Sequence, residues 1–262
     1  MTISWRFETL LSTESTNSDL LNRWHQHLLQ EPTSLMAFEQ TAGRGKRGKN
    51  WISEKNRSLT FSMAYPFSSE FSMMKLQGIT LVCGLAILKA LLEYLQLTPS
   101  MGRKFNLGLK WPNDILLDGR KLGGILVEGG QKSINEPFWM IIGVGLNLGL
   151  PRQRTENLET ANIEEMNHLN IPLELDSLWQ FLTSKVSQTL EIFSEKSFSE
   201  FQEEWNSWDC WQNHQLLVKQ NDKVIHQGKN CGVNYSGYLI LETPLGLQEI
   251  SSGDLSIVQQ KP

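Results

Sequence analysis

Gly43, Gly45 and Gly48 match the pattern G-x-G-x-x-G, and the polar stretch on their C-terminal side decides which folds the chain can adopt. The dinucleotide fingerprint needs a strand before it and a helix opening directly after it. Here the next residues are Asn50 to Arg57, polar and turn-like. The P-loop template fails on the same ground. Gly48-Lys49 is in place, but Asn50 stands where a magnesium-holding Ser or Thr belongs, and again no helix opens. Both nucleotide folds are excluded, and the stretch reads as a free loop. Four cations and three glycines fall within its seven residues Gly43 to Lys49. Glycine lets the backbone bend tightly and expose its N–H groups, and the cations add a positive field. The combination suits a phosphate, with Trp51 offering a flat apolar face to a base or ring. A solvated basic loop has the same composition.

The positive field is local, because the 262-residue chain has a net charge of −4. That balance argues against a general polyanion binder and against DNA as a partner. No apolar run is long enough for a membrane span, and Met1 to Arg6 lacks the pattern of a signal peptide. Cys83, Cys210 and Cys231 are odd in number and far apart. They point to a reducing cytoplasm and away from a disulfide frame or zinc site.

Taken in order, Ile3 to Leu11 reads as a strand. Ser15-Thr16-Asn17 opens a helix to about Leu29, with Ser15 or Thr16 as its cap. Ser34 to Gln40 is a strand leading into the basic loop, and Ser58 to Tyr65 is another. Met73 to Leu95 reads as one long core helix. Leu107 to Asp114 is a strand that ends or bends at Pro112, leaving Lys110, Asn113 and Asp114 where functional groups collect. Asp118-Gly119 suits a type I′ hairpin turn, and Lys121 to Glu128 is the return strand. The pair Gly123-Gly124 inside it marks a bulge or a ligand lying close to the backbone. Phe138 to Leu148 is an apolar strand. Pro151 to Pro172 is an irregular surface loop with one short helix, and Leu175–Glu195 and Phe198–Trp208 are helices. Beyond a boundary near 209–213, short β-favouring runs at Leu216–Lys219, Lys223–His226, Gly232–Tyr235, Tyr238–Leu241 and Gln248–Ile250 predict a small barrel or sandwich.

The ordered set of Ser15-Thr16-Asn17, the Gly43–Trp51 loop, Lys110-Trp-Pro-Asn113-Asp114, Lys121-Leu-Gly-Gly124-Ile-Leu-Val-Glu128 and Gly143-Val-Gly-Leu-Asn147 resembles the motif series of biotin protein ligases. The resemblance runs from about residue 7 to the C-terminus. It implies an α+β fold: a mixed sheet similar to class II aminoacyl-tRNA synthetases with helices on one face, as a catalytic biotin/ATP-binding domain over 1–212. An SH3-like β-barrel over 213–262 would follow. It implies a two-step reaction, in which biotin and ATP give biotinyl-5′-AMP and a lysine of a biotin carboxyl carrier protein, an acetyl-CoA carboxylase subunit, then takes the biotin.

By the same resemblance Ser15, Thr16, Asn17 and Gln40 hold biotin with Gly43 and the backbone of Arg44, Gly45 and Lys46, while Gly124 and Gly143 line its pocket. Lys121 touches the carboxylate and α-phosphate. Lys46, Arg47, Lys49, Trp51, Lys110, Asn113 and Asn147 serve the adenylate, and Asn113 with Asp114 meets Mg2+. Lys121, Asp114 and Lys46 are the implied catalytic residues. Asp114 is also explained as a turn cap. The loop departs from the family's Gly-Arg-Gly-Arg-x-Gly-Arg by carrying Lys46 and Lys49. A lipoate ligase shares the chemistry but not these motifs. A biotin-dependent repressor would need a helix-turn-helix ahead of Ser15, where little chain is present. Monomer and homodimer both remain open.

Overall fold

The computed structural model describes residues 3–149, 160–251 and 255–259. Strand β3 (Ser58–Phe67) shows how the sequence builds its first sheet. Leu59, Phe61, Met63, Tyr65 and Phe67 alternate with Ser58, Thr60, Ser62 and Ala64, so one face is bulky and the other small or polar. Around it, β1 (Arg6–Leu10), β2 (Thr33–Ala37), β4 (Leu107–Lys110), β5 (Asp114–Leu117), β6 (Arg120–Gly130) and β7 (Phe138–Asn147) complete a seven-stranded sheet of order β1-β2-β3-β7-β6-β5-β4. Only β1 and β2 run parallel; the other neighbours are antiparallel. This is the expected mixed sheet.

Helices α2 (Ile79–Tyr94) and α4 (Leu175–Lys196) cover the bulky face. Leu81, Leu85, Leu88 and Leu92 of α2 join Phe61, Met63, Ile142 and Val144 in the main core. Each such side chain contributes roughly 1.5–3 kcal/mol when fully buried. The short helix α1 (Thr16–His25) lies on the opposite face. There Leu20 packs with Leu35, Ala64, Trp139 and Ile141 in a smaller core. The two long helices therefore share one face as expected, while α1 stands on the other, beside the site.

Several elements differ from the sequence reading. Met73 to Leu95 is not one helix. A 3-10 turn at Met73–Leu76 is separated from α2 by Gly78, whose φ is 80°. Phe198 approaches Gly78 so closely that a Cβ would lie 2.5 Å from its ring, so the break is locked by packing. A short helix, α3 (Pro99–Lys104), capped by Thr98 with Pro99 in its first turn, was not anticipated. The segment Phe198–Trp208 is a 3-10 turn followed by α5 (Gln202–Ser207). Of the expected surface loop at 151–172, residues 151–159 lie outside the described residues, and the remainder holds a 3-10 turn at Ile163–Met166.

The C-terminal part is a five-stranded antiparallel sheet. It comprises β8 (Gln215–Gln220), β9 (Lys223–Val233), β10 (Leu239–Thr243), β11 (Gly246–Ile250) and β12 (Ser256–Gln259), in the order β11-β10-β9-β8-β12. The run read as Lys223–His226 and the start of the one read as Gly232–Tyr235 belong to the one strand β9, which ends at Val233, and β12 was missed. The first sheet is joined by backbone to the segment that leads into the second. Leu109 N–H donates to Trp208 O at 2.7 Å and Cys210 N–H to Leu109 O at 2.9 Å. Gly108 makes this possible, because a Cβ there would collide with Cys210 Sγ. Trp111, 1% exposed, donates from Nε1 to Gly237 O and wedges the seam.

Candidate active site

Strand register lays one row of residues across five strands on the α1 face of the first sheet. Thr60 pairs with Gly145, Gly145 with Gly124, Gly124 with Asp114, and Asp114 with Lys110. The next row runs Ser62, Gly143, Leu126. The bulky partners of these positions point into the core beneath, so the upper face is left bare by three glycines. Over it lies a cavity of 390 Å³.

Gly143 and Gly145 are required by what sits on them, and Gly124 is closely approached. A Cβ on Gly143 would fall on Asn17 Oδ1, and one on Gly145 would lie 2.5 Å from the Trp51 indole. One on Gly124 would lie 3.2 Å from Lys121 Nζ and 3.5 Å from Asp114 Oδ1. The register shift expected from the glycine pair is present. Ile115 pairs with Gly123 and Leu116 with Lys121, leaving Leu122 as the extra residue of a bulge that re-aims the strand.

One end of the cavity is polar and buried. Ser15 caps α1, its Oγ accepting from Ser18 N–H at 3.5 Å. Gln40 Oε1 accepts from Thr16 N–H at 2.8 Å. Thr16 Oγ1 lies 2.7 Å from Ser62 Oγ, which donates to Asn17 Oδ1 at 2.7 Å. The opposite end is cationic. Lys121 Nζ is 2.7 Å from Asp114 Oδ1, and Lys110 Nζ is 3.8 Å from Asp114 Oδ2. Lys110 Nζ also sits 4.4 Å from the Trp211 ring centre, a cation–π contact at the junction of the sheets. Burial lowers the Lys110 pKa below its usual 10.5, assisted by Lys121 and Lys49, while Asp114 pulls the other way.

The basic loop roofs the cavity as a small hairpin. Trp51 N–H donates to Gly43 O at 2.8 Å and Gly45 N–H to Lys49 O at 2.6 Å. Between them Arg47 and Gly48 take φ of 64° and 68°. Arg44 reaches back to the sheet, donating to both carboxylate oxygens of Glu128 at 3.2 and 2.8 Å and to Ser18 Oγ at 3.0 Å. Lys46, Arg47 and Lys49 line the cavity below the loop.

Of the residues singled out in the sequence, Ser15, Thr16, Asn17, Gln40, Arg44, Gly45, Lys46, Arg47, Lys49, Trp51, Lys110, Asn113, Asp114, Lys121, Gly124 and Gly143 line this one cavity. Gly43 does not line it; its absent Cβ makes room for Trp51 O and Gln40 Nε2. Asn147 lines a smaller adjoining cavity of 150 Å³, shared with Trp51 and Lys121. Its Nδ2 is committed to Lys121 O and Ala161 O, both at 3.1 Å. One N–H of Asn113 Nδ2 is committed to Ile125 O, leaving its Oδ1 and its second N–H to offer. Sequence reasoning missed Ser62 and Glu128, and missed Lys219 of β8 and Asp222 of the turn after it, which line the cavity with 255–258. Period-two alternation from Gly124 would have found Glu128, because positions 124, 126 and 128 share a face.

Among the described residues no three His, Cys, Asp or Glu side chains gather to hold a metal. No described helix is long and apolar enough to cross a membrane.

The sequence profile of the biotin/lipoate A/B protein ligase family matches residues 10–147. The bifunctional ligase/repressor BirA of Escherichia coli (strain K12) is 28% identical over 244 residues, covering 93% of this chain and 71% of that protein. The biotin–[acetyl-CoA-carboxylase] ligase of Paracoccus denitrificans is 25% identical over 248 residues, covering 94% and 98%. The solved structure of the biotin protein ligase from Aquifex aeolicus in complex with biotin and ATP matches with a TM-score of 0.78 and 26% identity, over 97% of this chain and 99% of that one.

Proposed function

The chain belongs to the biotin/lipoate A/B protein ligase family, and on that premise we infer that it is an ATP-dependent biotin–[acetyl-CoA-carboxylase] ligase. It activates biotin and transfers it to protein. The observation that carries this reading is a single 390 Å³ cavity whose buried polar end and cationic end lie under one basic loop. Activation requires a neutral ring held at one place and a carboxylate delivered to a polyphosphate at another. The cavity joins two such places. Trp51 adds support. Its indole lies over Gly145, where a Cβ would be 2.5 Å from the ring, and it lines the cavity as a flat apolar wall.

In the first step a biotin carboxylate oxygen attacks the α-phosphorus of ATP, the bond to the β-phosphate oxygen breaks and pyrophosphate leaves. Such transfers need positioning and charge neutralisation more than covalent help. Lys121 is placed to neutralise the reacting carboxylate and α-phosphate. Lys46, Arg47, Lys49 and Lys110 serve the phosphates. Trp51 walls the nucleotide, with Asn147 and Asn113 bracing that side. Ser15, Thr16, Asn17 and Gln40, with the loop backbone at 43–46, hold biotin.

In the second step the acceptor lysine Nζ of a biotin carboxyl carrier protein attacks the acyl carbon, and AMP leaves with the bonding pair. A free lysine with a pKa of about 10.4 is almost wholly protonated at neutral pH. Asp114, which with Asp222 supplies the carboxylates lining the cavity among the described residues, is positioned to take or orient that proton. Magnesium fits here as an ion carried in by ATP, since it keeps several waters and uses substrate phosphates with one or two protein oxygens. Asp114 and Asn113 Oδ1 would meet it.

We assign residues 1–212 to catalysis and 213–262 to closing the cavity, a division supported by Lys219, Asp222 and 255–258 at its rim. Three free cysteines support a cytoplasmic setting. The test is mass spectrometry after incubation with ATP, magnesium and either biotin or lipoate, followed by addition of carrier. Biotinyl-AMP and biotinylated carrier are expected. Adenylate from lipoate alone would overturn the substrate assignment.

A further inference from the structure

The polar end of the cavity contains more oxygen contacts than protons to fill them, and this fixes the direction of its hydrogen bonds. Thr16 Oγ1 lies 2.7 Å from Ser62 Oγ and 3.1 Å from Gln40 Oε1, while Ser62 Oγ lies 2.7 Å from Asn17 Oδ1. Two hydroxyl protons must serve three contacts. Gln40 Oε1 already accepts from Thr16 N–H at 2.8 Å, so the longest contact is the one to go without. Ser62 then donates to Asn17, and Thr16 donates to Ser62. With its proton turned inward, Thr16 presents only lone pairs to the cavity it lines.

That direction depends on which end of the Asn17 amide faces Ser62. Glu128 decides it. Its Oε2 accepts from Asn17 Nδ2 at 2.8 Å, and as a carboxylate it can only accept. Arg44 holds the same carboxylate through both oxygens at 2.8 and 3.2 Å. Asn17 Oδ1 is thereby turned to Ser62, and the order runs unbroken from Glu128 through Asn17 and Ser62 to Thr16. Glu128 does not line the cavity. Nothing in the adenylation chemistry requires it.

We propose that Glu128 is a positioning residue that sets the hydrogen-bond polarity of the biotin pocket, keeping Thr16 Oγ1 an acceptor for a ureido N–H of the ligand. This rests on the biotin reading above. Ligand specificity follows from it: the site demands a cyclic urea or similar ring that donates at this point, and rejects one that presents an oxygen there. A neutral amide at position 128 would reverse the order. A glutamine side chain there would turn its single oxygen to the Arg44 cation and its NH2 to position 17. Asn17 would flip, and Ser62 would accept from it and donate to Thr16. Thr16 would then have one lone pair fewer for the ligand N–H, and a proton shared between Gln40 Oε1 at 3.1 Å and the cavity.

Glu128→Gln should weaken biotin binding by about tenfold or more in titration calorimetry. Two biotin analogues, in which one or the other ureido N–H is replaced by ring oxygen, separate this from a general loosening. One of them should bind the native protein poorly, and Glu128→Gln should change its affinity less than threefold or improve it. Glu128→Asp, which keeps a carboxylate, should retain the native preference for biotin over that analogue. If Glu128→Gln does not fold, Ser62→Ala reads the same link, because it frees the Thr16 proton and should narrow the preference in the same direction. An equal loss for biotin and both analogues would make Glu128 a mere anchor for Arg44 and overturn the proposal. So would native biotin affinity in Glu128→Gln. Failure of the native protein to bind biotin would instead overturn the functional reading itself.

Discussion

At one end of the cavity the polar groups are buried and bonded to each other; at the other the cations reach toward solvent and few acids answer them. Thr16 and Asn17 are 3% exposed and Ser62 is not exposed at all. Arg47 and Lys49 reach further out, and Asp114 and Asp222 are the carboxylates that line the cavity among the described residues. On the proposed function, the contrast follows from the ligand part each end recognises. A small neutral ring brings little interaction energy of its own, so its partners must be ordered beforehand. A polyphosphate brings charge, and the protein needs only to hold cations where it will lie. Substitutions at the buried end should act through geometry and appear in affinity. Those at the cationic end should act through charge and appear in rate.

The sharpest break in that comparison lies at Asp114, the acid that pairs with both Lys110 and Lys121. Asp114→Asn should slow transfer from supplied biotinyl-AMP by about 10²–10⁴, the range for a lost proton acceptor, with a smaller effect on adenylation. Single-turnover rates for each half-reaction check this. Equal losses in both would assign Asp114 to magnesium instead. Lys121→Met should show the reverse bias, slowing adenylation by roughly 10²–10³, with biotin affinity little changed. A large loss of biotin affinity would mean that Lys121 belongs to the recognition end.

Gly143→Ala tests the buried end. The new Cβ would fall on Asn17 Oδ1, displacing the residue that connects Glu128 to Ser62. Overpacking of this kind costs roughly 1–3 kcal/mol. Biotin affinity should fall by about tenfold to a hundredfold, while the adenylation rate at saturating biotin stays near native. Calorimetry and saturation kinetics separate the two.

Lys110 offers a pH test of the cationic end. Its pKa is lowered by burial, so it loses its charge at a lower pH than an ordinary lysine. In the free protein the unfolded chain then binds more protons than the folded one between the lowered value and 10.5. Stability from this group therefore rises with pH across that window. ATP binding has the opposite sign, because phosphate needs the cation. ATP affinity should fall as pH rises through the lowered value, by up to about tenfold per unit for one linked proton. Lys110→Arg should flatten the dependence. An unchanged slope in that variant would place the titration elsewhere.

The sequence makes the two ends legible to different degrees, for a physical reason. Cations and glycines of the loop are adjacent in the chain, and Lys110, Asp114 and Lys121 flank one hairpin, so local reading reaches them. The motif at Ser15-Thr16-Asn17 is visible too, but its partners Ser62 and Glu128 come from β3 and β6 and meet it only through register. Ser62 looks like one of several polar residues on an alternating strand. The helix break at Gly78 was missed for a similar reason: the apolar pattern continues through it, and only the approach of Phe198, 120 positions later, forbids continuation. Strand β12 was overlooked because its few residues lie beyond the last turn signal, and pairing with β8 rather than propensity makes it a strand.

Lys46 gives the smallest expected effect and the finest test of the comparison. It opens the 3-10 turn Lys46–Gly48 and lines the cavity from the roof. A lysine is a point charge, whereas an arginine presents a planar fork that grips phosphate through two parallel hydrogen bonds. If the cationic end works by charge alone, Lys46→Arg should leave the adenylation rate within about threefold, since the charge is unchanged. The second hydrogen bond should instead appear in retention. A charge-assisted bond is worth roughly 1.5–3 kcal/mol when well made. Offset by the entropy of ordering a long loop side chain, it should lengthen the residence of biotinyl-AMP by about threefold to tenfold. Lys46→Gly removes both charge and fork, so it should shorten residence and raise stray acylation of bystander lysines by released adenylate. Dissociation rates of labelled biotinyl-AMP from the three proteins measure this directly. Equal rates would mean that the loop holds the adenylate through its backbone N–H groups and its other cations. The cationic end would then resemble the buried end, relying on preset geometry rather than on charge.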